Sequence, residues 1–297
     1  MRAVPMLAAS LMIHLLTAGH AAAQRDPAWT EAYRPFRIVG NLYYVGSRGL
    51  ANYLIATPEG HILINSDQDA NVPLIQASMK ELGFSFNDVK ILLISHAHFD
   101  HCGGSALIKE RTGAQYMVMD ADVPVVRSGG AEDFQYGADS SARYRPASVD
   151  RTLHDGDTVR LGDAVLIAHR TPGHTKGCTT WTMRVMENGR PYDVVIVGGC
   201  GVNPGYRLVG NPLYPGIARD YERTFRVLKR LPCDYFLGAH GSYFDMEAKV
   251  GRLNHETVSP FIDPRGYRSF VLGKEREFRA ELARQRAAKR RRPRAAR

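Results

Sequence analysis

The sequence has no apolar run long enough to cross a bilayer. The candidate run, residues 6–13, is short and two histidines follow it, whereas a spanning helix needs about 20 mainly apolar residues. With Arg2 before it and three alanines after it, the run is typical of a signal peptide over residues 1–23, cleaved near Ala23–Gln24. No cysteine stands at its end, which argues against lipoprotein processing. We expect an exported, periplasmic protein with no integral membrane segment after signal removal.

Net charge is nearly absent outside the C-terminal end. The formal charge is +9, yet residues 274–297 hold eleven Lys and Arg against three Glu. The rest of the exported chain is close to neutral, so it lacks the long basic groove that nucleic-acid processing requires, and we expect no nucleic-acid partner. We interpret residues 274–297 as a basic C-terminal helix and tail. Residues 289–294 are typical of a solvated tail, with contact to anionic lipid or surface polymers as the weaker alternative.

Several motifs of other protein classes are missing as well. No S-x-x-K or G-x-S-x-G marks a serine nucleophile, no shift in composition marks a linker, and no repeat of solenoid period is found. We therefore expect residues 24–273 to form a single domain, and any hydrolytic chemistry to use something other than serine.

What the chain does have is a dense cluster of metal-binding side chains. The stretch SHAHFDHCGG, residues 95–104, directly follows an apolar run and offers four ligand-type side chains within six positions. His96 and His98 are two residues apart, so in an extended turn they point the same way and can bind one ion. Asp100 and His101 lie beyond the turn and can reach a second ion.

Two further histidines stand in similar loops. His174 lies in P-G-H-T and His240 in G-A-H-G, each after a predicted strand and beside a glycine that lets the backbone turn. With the first cluster they complete six nitrogen and oxygen ligands. Three apiece for two zinc ions would leave each ion an open position for water, which marks a catalytic rather than a structural site. Imidazole and carboxylate suit zinc best among the common metals.

The order of predicted elements indicates an α+β fold. Strands followed by helices occur twice, which favours two β-sheets packed face to face with helices outside. The strands are predicted at residues 41–45, 52–56, 61–64, 89–94, 116–119, 158–160, 165–168, 179–185, 192–197 and 235–237, and the helices at 72–82, 105–111, 121–127, 220–231 and 266–286.

These motifs, in this order, resemble the metallo-β-lactamase superfamily. The resemblance implies an αββα sandwich of two mixed β-sheets with outer helices. Residues 35–46 and 201–206 resemble, more narrowly, the third subclass of metallo-β-lactamases, and the likeness runs from about Pro35 to Asp263. It implies that the first zinc is bound by His96, His98 and His174, and the second by Asp100, His101 and His240.

The resemblance also implies a reaction. The chain would be a zinc-dependent hydrolase that opens the amide bond of β-lactam antibiotics (penicillins, cephalosporins, carbapenems), with a zinc-bound hydroxide as nucleophile and Asp100 as the catalytic residue that orients it. Lactonases and thioester hydrolases that resemble this family carry a bridging aspartate where Gly198, Gly199 and Cys200 stand here, which argues against both. The alternatives left open are another hydrolase of this fold, acting on lactones or phosphodiesters, and a non-catalytic exported zinc-binding protein. We expect a monomer.

The cysteines allow several interpretations. A hairpin centred near residues 188–189 would place Cys178 almost opposite Cys200, and facing cysteines in an oxidising compartment often form a bridge. We expect a Cys178–Cys200 disulfide, ahead of Cys200 as a free thiol or as a zinc ligand. Cys102 and Cys233 are expected to be small buried apolar residues.

Substrate contacts are expected from the loop after the cysteine. Val202 and Asn203 occupy the positions where serines of the resembled family contact the substrate carboxylate. Tyr206 either lines the substrate cleft or packs at the sheet edge. Asp67, in the loop 65–69, could support the metal ligands, but solvation of this loop is the favoured interpretation.

Overall fold

The computed structural model describes residues 26–253 and 255–291. The expected signal peptide, residues 1–23, and the end of the basic tail, residues 292–297, lie outside the described residues. Among the residues described, none of the helices combines the length and the apolar character needed to cross a membrane.

The first sheet contains seven strands in sequence order. The first four form an antiparallel meander, and the later ones pair in parallel. Nearly every residue of its central strands is buried, as expected for strands covered on both faces. The strands are β1 (Phe36–Val39), β2 (Leu42–Tyr44), β3 (Tyr53–Thr57), β4 (Gly60–Ile64), β5 (Val89–Leu93), β6 (Gln115–Met119) and β7 (Arg151–Leu153).

The second sheet contains five strands in the order β12-β11-β10-β9-β8. Its longest pair is a hairpin whose two-residue turn has both central residues, Asn188 and Gly189, at positive φ of 51° and 75°, so the predicted Asn-Gly turn is confirmed. The strands are β8 (Thr158–Leu161), β9 (Ala164–Arg170), β10 (Thr179–Glu187), β11 (Arg190–Val197) and β12 (Tyr235–Gly238).

Helices cover both outer faces of the paired sheets. Alternation along β5 shows the layering. Leu92 belongs to the apolar cluster that includes residues of the covering helices, whereas Leu93 belongs to the cluster between the sheets, which also contains Trp181 of the second sheet. The predicted αββα sandwich of two mixed sheets is therefore confirmed. The helices are α1 (Val72–Glu81), α2 (Phe99–Cys102), α3 (Ser105–Thr112), α4 (Val123–Arg127), α5 (Ile217–Leu228), α6 (Met246–Arg252) and α7 (Pro264–Arg291).

The extent of the last helix, α7, does not match the expected domain boundary. The boundary placed between residues 273 and 274 falls inside this helix, which runs without a break through Arg291. Its apolar residues recur every three or four positions and remain buried as far as Leu282, so the helix packs on the domain well past that boundary. The buried positions are Tyr267, Val271, Glu275, Phe278 and Leu282.

Candidate metal centre

All six predicted ligands come together where strands end. His96 and His98 follow β5, Asp100 and His101 lie in the short helix α2, and the other two histidines, His174 and His240, follow β9 and β12. The strand ends meet at one edge of the sandwich, which explains how segments so distant in sequence converge.

The first ligand group comprises His96, His98 and His174. Its imidazole rings lie 4.6 to 4.8 Å apart between centroids, and one ring nitrogen from each falls within 4.8 Å of the others. Nε2 of His98 is buried and has no hydrogen-bond partner among the described residues. Three imidazoles converging on one point, with a buried nitrogen left unsatisfied, fit the demand of a tetrahedral metal site with an open position.

The second ligand group comprises Asp100, His101 and His240. Nε2 of His101 lies 3.1 Å from Nε2 of His240 and 3.2 Å from Oδ2 of Asp100. Oδ2 of Asp100 lies 3.7 Å from Nε2 of His240. Two imidazole nitrogens and a carboxylate oxygen turned toward each other in a buried site again suit a cation.

The protonation states match this interpretation. Burial lowers the pKa of His98 to about 4 and the pKa of both His174 and His240 to about 3, so these rings stay neutral and can coordinate. Although burial alone would raise it, the pKa of Asp100 is held well below its usual range mainly by the neighbouring His101, whose Nε2 lies 3.2 Å from Oδ2 of Asp100. Neutral imidazoles and an ionised carboxylate are the donor forms that zinc binds.

A hydrogen bond to a main-chain carbonyl oxygen fixes the orientation of the His174 ring. Its Nδ1 donates to the carbonyl oxygen of Gly201 at 2.9 Å, which directs Nε2 toward the ligand group. Gly201 also accepts from the hydroxyl of Tyr221 at 2.8 Å, and the hydroxyl of Tyr206 donates to the carbonyl oxygen of His174 at 2.8 Å.

Asp122 joins the two loops that carry the first ligand group, and the sequence analysis missed it. Its Oδ2 accepts from the backbone N–H of Ala97 at 3.0 Å and from Oγ1 of Thr175 at 2.7 Å, while its Oδ1 accepts from the N–H of Gly177 at 2.7 Å. Burial raises the pKa of Asp122 to about 6. The available signal was an acidic residue just after β6, at the same edge of the parallel strands as the ligands.

The interpretation of the loop at Asp67 as solvated is wrong. The side chain is fully buried, and burial raises its pKa to about 7 even though Nδ2 of Asn71 donates to Oδ2 at 3.2 Å and His101 lies near enough to lower the pKa. The backbone of Asp67 has a positive φ of 51°. Such a turn directs the carboxyl inward, which the polar composition of the segment did not reveal.

The expected Cys178–Cys200 disulfide is wrong in this structure, where all four cysteines are free thiols. The register of β10 and β11 pairs Trp181 with Ile196, so Gly199 rather than Cys200 lies opposite Cys178. A shift of one residue turns the side chain to the other face. Accordingly Sγ of Cys178 contacts the carbonyl oxygen of Gly199 at 3.3 Å. Burial raises the pKa of Cys200, and the charged side chains that also affect this pKa are Lys274 and Glu277 of α7.

Gly199 of this loop packs against the ring of His174. A Cβ added there would lie 2.8 Å from Cδ2 of His174. Cys200 is buried within the larger apolar core, so its side chain is placed as a core residue rather than as a ligand.

A cavity of about 340 Å³ opens onto both ligand groups. Of the three predicted substrate contacts, Asn203 lines it, and its Nδ2 donates to the hydroxyl of Tyr136 across the cavity wall at 3.0 Å. Tyr206 is buried behind His174, and Val202 packs on the apolar core.

Sequence analysis did not find most of the cavity wall. Aromatic side chains from four separate segments line it: Trp29, Phe99, Tyr136, Tyr144 and Tyr243. Trp29 is held in place because Nδ2 of Asn71 donates to its carbonyl oxygen at 2.6 Å, and its ring lies 5.8 Å from that of His240. No local pattern marks these residues, because their convergence depends on the packing of distant loops.

Comparisons with known proteins agree with this geometry. A family model described as the metallo-beta-lactamase superfamily matches residues 51–240. The structure of the FEZ-1 metallo-beta-lactamase from Legionella gormanii is 55% identical, covers 86% of this chain and 98% of that one, and superposes with a TM-score of 0.86. The class B3 di-zinc metallo-beta-lactamase LRA-12 from an Alaskan soil metagenome is 36% identical, with 87% and 97% covered and a TM-score of 0.82.

Among curated proteins the matching segment covers a smaller share of each chain. A probable metallo-hydrolase of Burkholderia pseudomallei is 30% identical over 148 residues, which are 48% of this chain and 49% of the relative. The chain thus spans about half the length of this curated relative, whereas it spans nearly the whole of the two lactamase structures.

Proposed function

The chain belongs to the metallo-beta-lactamase superfamily, and from this premise we propose that it is a zinc-dependent hydrolase that opens the amide bond of β-lactam antibiotics, including penicillins, cephalosporins and carbapenems. The observation that carries the proposal is the convergence of five buried ligands and the partly buried His240 beside one cavity, in a chain that is 55% identical to a lactamase over 98% of that lactamase's length. The ligands Asp100, His101 and His240 would hold one ion, and His96, His98 and His174 the other.

Zinc, when bound, lowers the pKa of a coordinated water to about 7 and polarises a carbonyl oxygen. The chain's own residues supply the rest. The carboxylate of Asp100 lines the cavity and stays ionised, so it can accept a hydrogen bond from the attacking water and orient it toward the substrate carbonyl. The aromatic wall, including Trp29 and Tyr136, limits the access of bulk water and packs against the substrate.

The carboxylate of the substrate would meet neutral donors of the chain. The lining holds no Lys or Arg among the described residues, whereas Nδ2 of Asn203 and the hydroxyl of Tyr136 face each other at the wall. We propose that Asn203 contacts substrate and that Tyr206 acts indirectly, through its hydrogen bond to His174.

Other activities of this fold are less well supported. Gly198, Gly199 and Cys200 stand where lactonases and thioester hydrolases of this fold carry a bridging aspartate, and a Cβ added at Gly199 would lie 2.8 Å from Cδ2 of His174. We also propose that the protein acts as a monomer, because one chain supplies all six ligands, and that residues 1–23 direct its export to the periplasm.

The test is hydrolysis of a cephalosporin and of a carbapenem by the purified protein, with zinc and after chelation. We expect turnover of both, loss on chelation and recovery when zinc is restored. His96→Ala should abolish turnover, whereas His154→Ala, at an exposed histidine, should not. Zinc binding without any turnover would refute the hydrolase and favour the non-catalytic zinc-binding protein, while turnover of lactones or phosphodiesters alone would favour the other hydrolases of this fold.

A further inference from the structure

The end of α7 carries the strongest imbalance of charge in the chain. After Glu281 the sequence contains eight Lys and Arg and no acidic residue up to Arg297, against a formal charge of +9 for the whole protein. The helix continues through Arg291, and from Ala283 onward every described residue except Gln285 is exposed. This segment is therefore an ordered basic surface as far as Arg291.

Gln285 holds this surface against the domain. Its Nε2 donates to the carbonyl oxygen of Tyr206 at 2.7 Å, and its Oε1 accepts from the N–H groups of Leu208 at 2.7 Å and of Val209 at 3.3 Å. Because these contacts fix the helix end in one orientation, its backbone is already ordered and little backbone entropy is lost when a partner binds.

The basic side chains at the end of α7 have few acidic neighbours. Earlier in the helix, Arg279 pairs with Glu275 at 2.7 Å, and Arg284 pairs with Glu281 at 2.6 Å. Among the described residues, no acidic side chain forms an ion pair with any of the four basic residues that follow: Arg286, Lys289, Arg290 and Arg291.

A groove of about 480 Å³ lies along the same helix face. Phe278 and Leu282 form an apolar floor, and Glu222 of α5 is its one acidic wall residue. Its basic edge is formed by Arg279, Arg286, Arg290 and Arg291. Guanidinium groups bind phosphate oxygens in a bidentate manner, and an apolar floor accepts hydrocarbon. Both chemistries are offered together by an anionic phospholipid surface.

We propose that the end of α7, residues 283–291, docks the protein on an anionic phospholipid bilayer. Each Lys or Arg near such a surface adds to the electrostatic attraction between the protein and the anionic headgroups. Duplex nucleic acid fits less well, since the exposed segment of nine residues is only about 13 Å long and lines an apolar groove rather than a long basic one. This docking is independent of the proposed β-lactam hydrolysis.

The test is co-sedimentation with vesicles of phosphatidylcholine alone or mixed with phosphatidylglycerol. It compares the wild-type protein, a variant with the helix end neutralised and a control with the same loss of charge. Glutamine is used because it is nearly as good a helix former as Arg and Lys. The helix-end variant is Arg286→Gln, Lys289→Gln, Arg290→Gln and Arg291→Gln, and the control, at exposed basic residues elsewhere, is Lys80→Gln, Arg127→Gln, Arg160→Gln and Arg230→Gln.

We expect the wild-type protein and the control to sediment with the phosphatidylglycerol vesicles at low salt and to be released as salt rises. The helix-end variant should bind at least about tenfold more weakly. Residues 1–23 are the same in all three proteins, so differences among them report the helix alone. Thermal melting verifies folding without reference to enzymatic activity.

Three results would overturn the docking proposal. The first is equal binding of the wild-type protein to both kinds of vesicle, and the second is equal loss of binding in the control and the helix-end variant. The third is retention of duplex DNA by the wild-type protein with no retention of vesicles, which would assign the basic surface to nucleic acid.

Discussion

The two ligand groups of the metal centre are held in place by different interactions. In the first group, Asp122 bonds to both ligand loops and His174 bonds to the carbonyl oxygen of Gly201. In the second group, the ring of His240 packs between Trp29 and Tyr243, with centroids 5.8 and 5.1 Å away. The group's internal contacts are the close approaches among its own ligands.

This difference has a physical consequence. A hydrogen bond to Nδ1 fixes both the tautomer and the rotation of an imidazole, whereas ring packing restricts rotation without selecting a tautomer. The first group should therefore be preformed before metal binds and sensitive to single polar substitutions. The ligands of the second group should depend more on the bound ion to reach their coordinating positions.

Removing one ligand from each group gives the largest expected effect. His174→Ala and His240→Ala should each lower cephalosporin hydrolysis to the uncatalysed rate and remove one zinc equivalent, because each deletes a ligand of one group only. Zinc content by atomic absorption and turnover check this. His169→Ala, at a half-buried histidine bonded to Thr182, is the control. Two zinc equivalents retained in His174→Ala would contradict the assignment of the groups.

Acid should destabilise the chelated protein, since both groups bury neutral histidines. Unfolded histidines bind protons below about pH 6.5, whereas burial lowers the pKa of His98 to about 4 and of His174 and His240 to about 3 in the folded state. The unfolded state thus takes up more protons on acidification, and the free energy of unfolding falls as the pH drops below about 6.5.

Asp122 and Asp67 oppose this trend, because burial raises their pKa to about 6 and about 7, which favours the folded state as pH falls through those values. The histidines are more numerous, so we expect a net loss on the order of 3 kcal/mol between about pH 7 and pH 5. Urea denaturation of the chelated protein measures it. A rise in stability over this range would show that the carboxyl groups dominate.

Asp122→Asn probes the hydrogen bonds of the first group. Asparagine keeps the shape but has a single acceptor oxygen, so its NH2 would face a backbone N–H of Ala97 or Gly177. We expect zinc affinity of the first group to fall about 10- to 100-fold, measured by competition with a chromophoric chelator, while the second group changes less. Asp120→Asn, a partly exposed neighbour paired with Arg170, should leave both affinities unchanged.

Two glycines of one loop provide the smallest and most local test. Gly199→Ala would bring a Cβ within 2.8 Å of Cδ2 of His174 and within 3.1 Å of its Cγ, and should destabilise the fold by about 1 to 3 kcal/mol while displacing that ligand. At Gly201 an added Cβ meets nothing within 4 Å, so Gly201→Ala should leave melting temperature and zinc binding unchanged. If Gly199→Ala also left melting temperature and zinc binding unchanged, His174 would tolerate displacement and the prediction would be wrong.

The sequence was sufficient to predict the layered fold and to select a set of side chains that the structure brings together. Closely spaced histidines and an aspartate are conspicuous in any chain, and the alternation of strand and helix patterns defines a small set of architectures. It was insufficient for Asp122, Asp67 and Trp29, whose roles depend on which distant backbone groups lie within hydrogen-bond or packing distance. The predicted partner of Cys178 was wrong by one residue, because a pattern of strand and turn residues locates a hairpin but does not determine the register of its strands.

The amino-acid sequence by itself determined which side chains are available for metal chemistry, since ligand type and local spacing are covalent properties. Tertiary structure alone decided that the six predicted ligands meet at one edge of the sandwich, that Gly199 rather than Cys200 faces His174, and that the basic end of α7 is held against the domain by Gln285. Those outcomes follow from strand register and helix packing, which are set by the burial of the whole apolar core and not by any short segment.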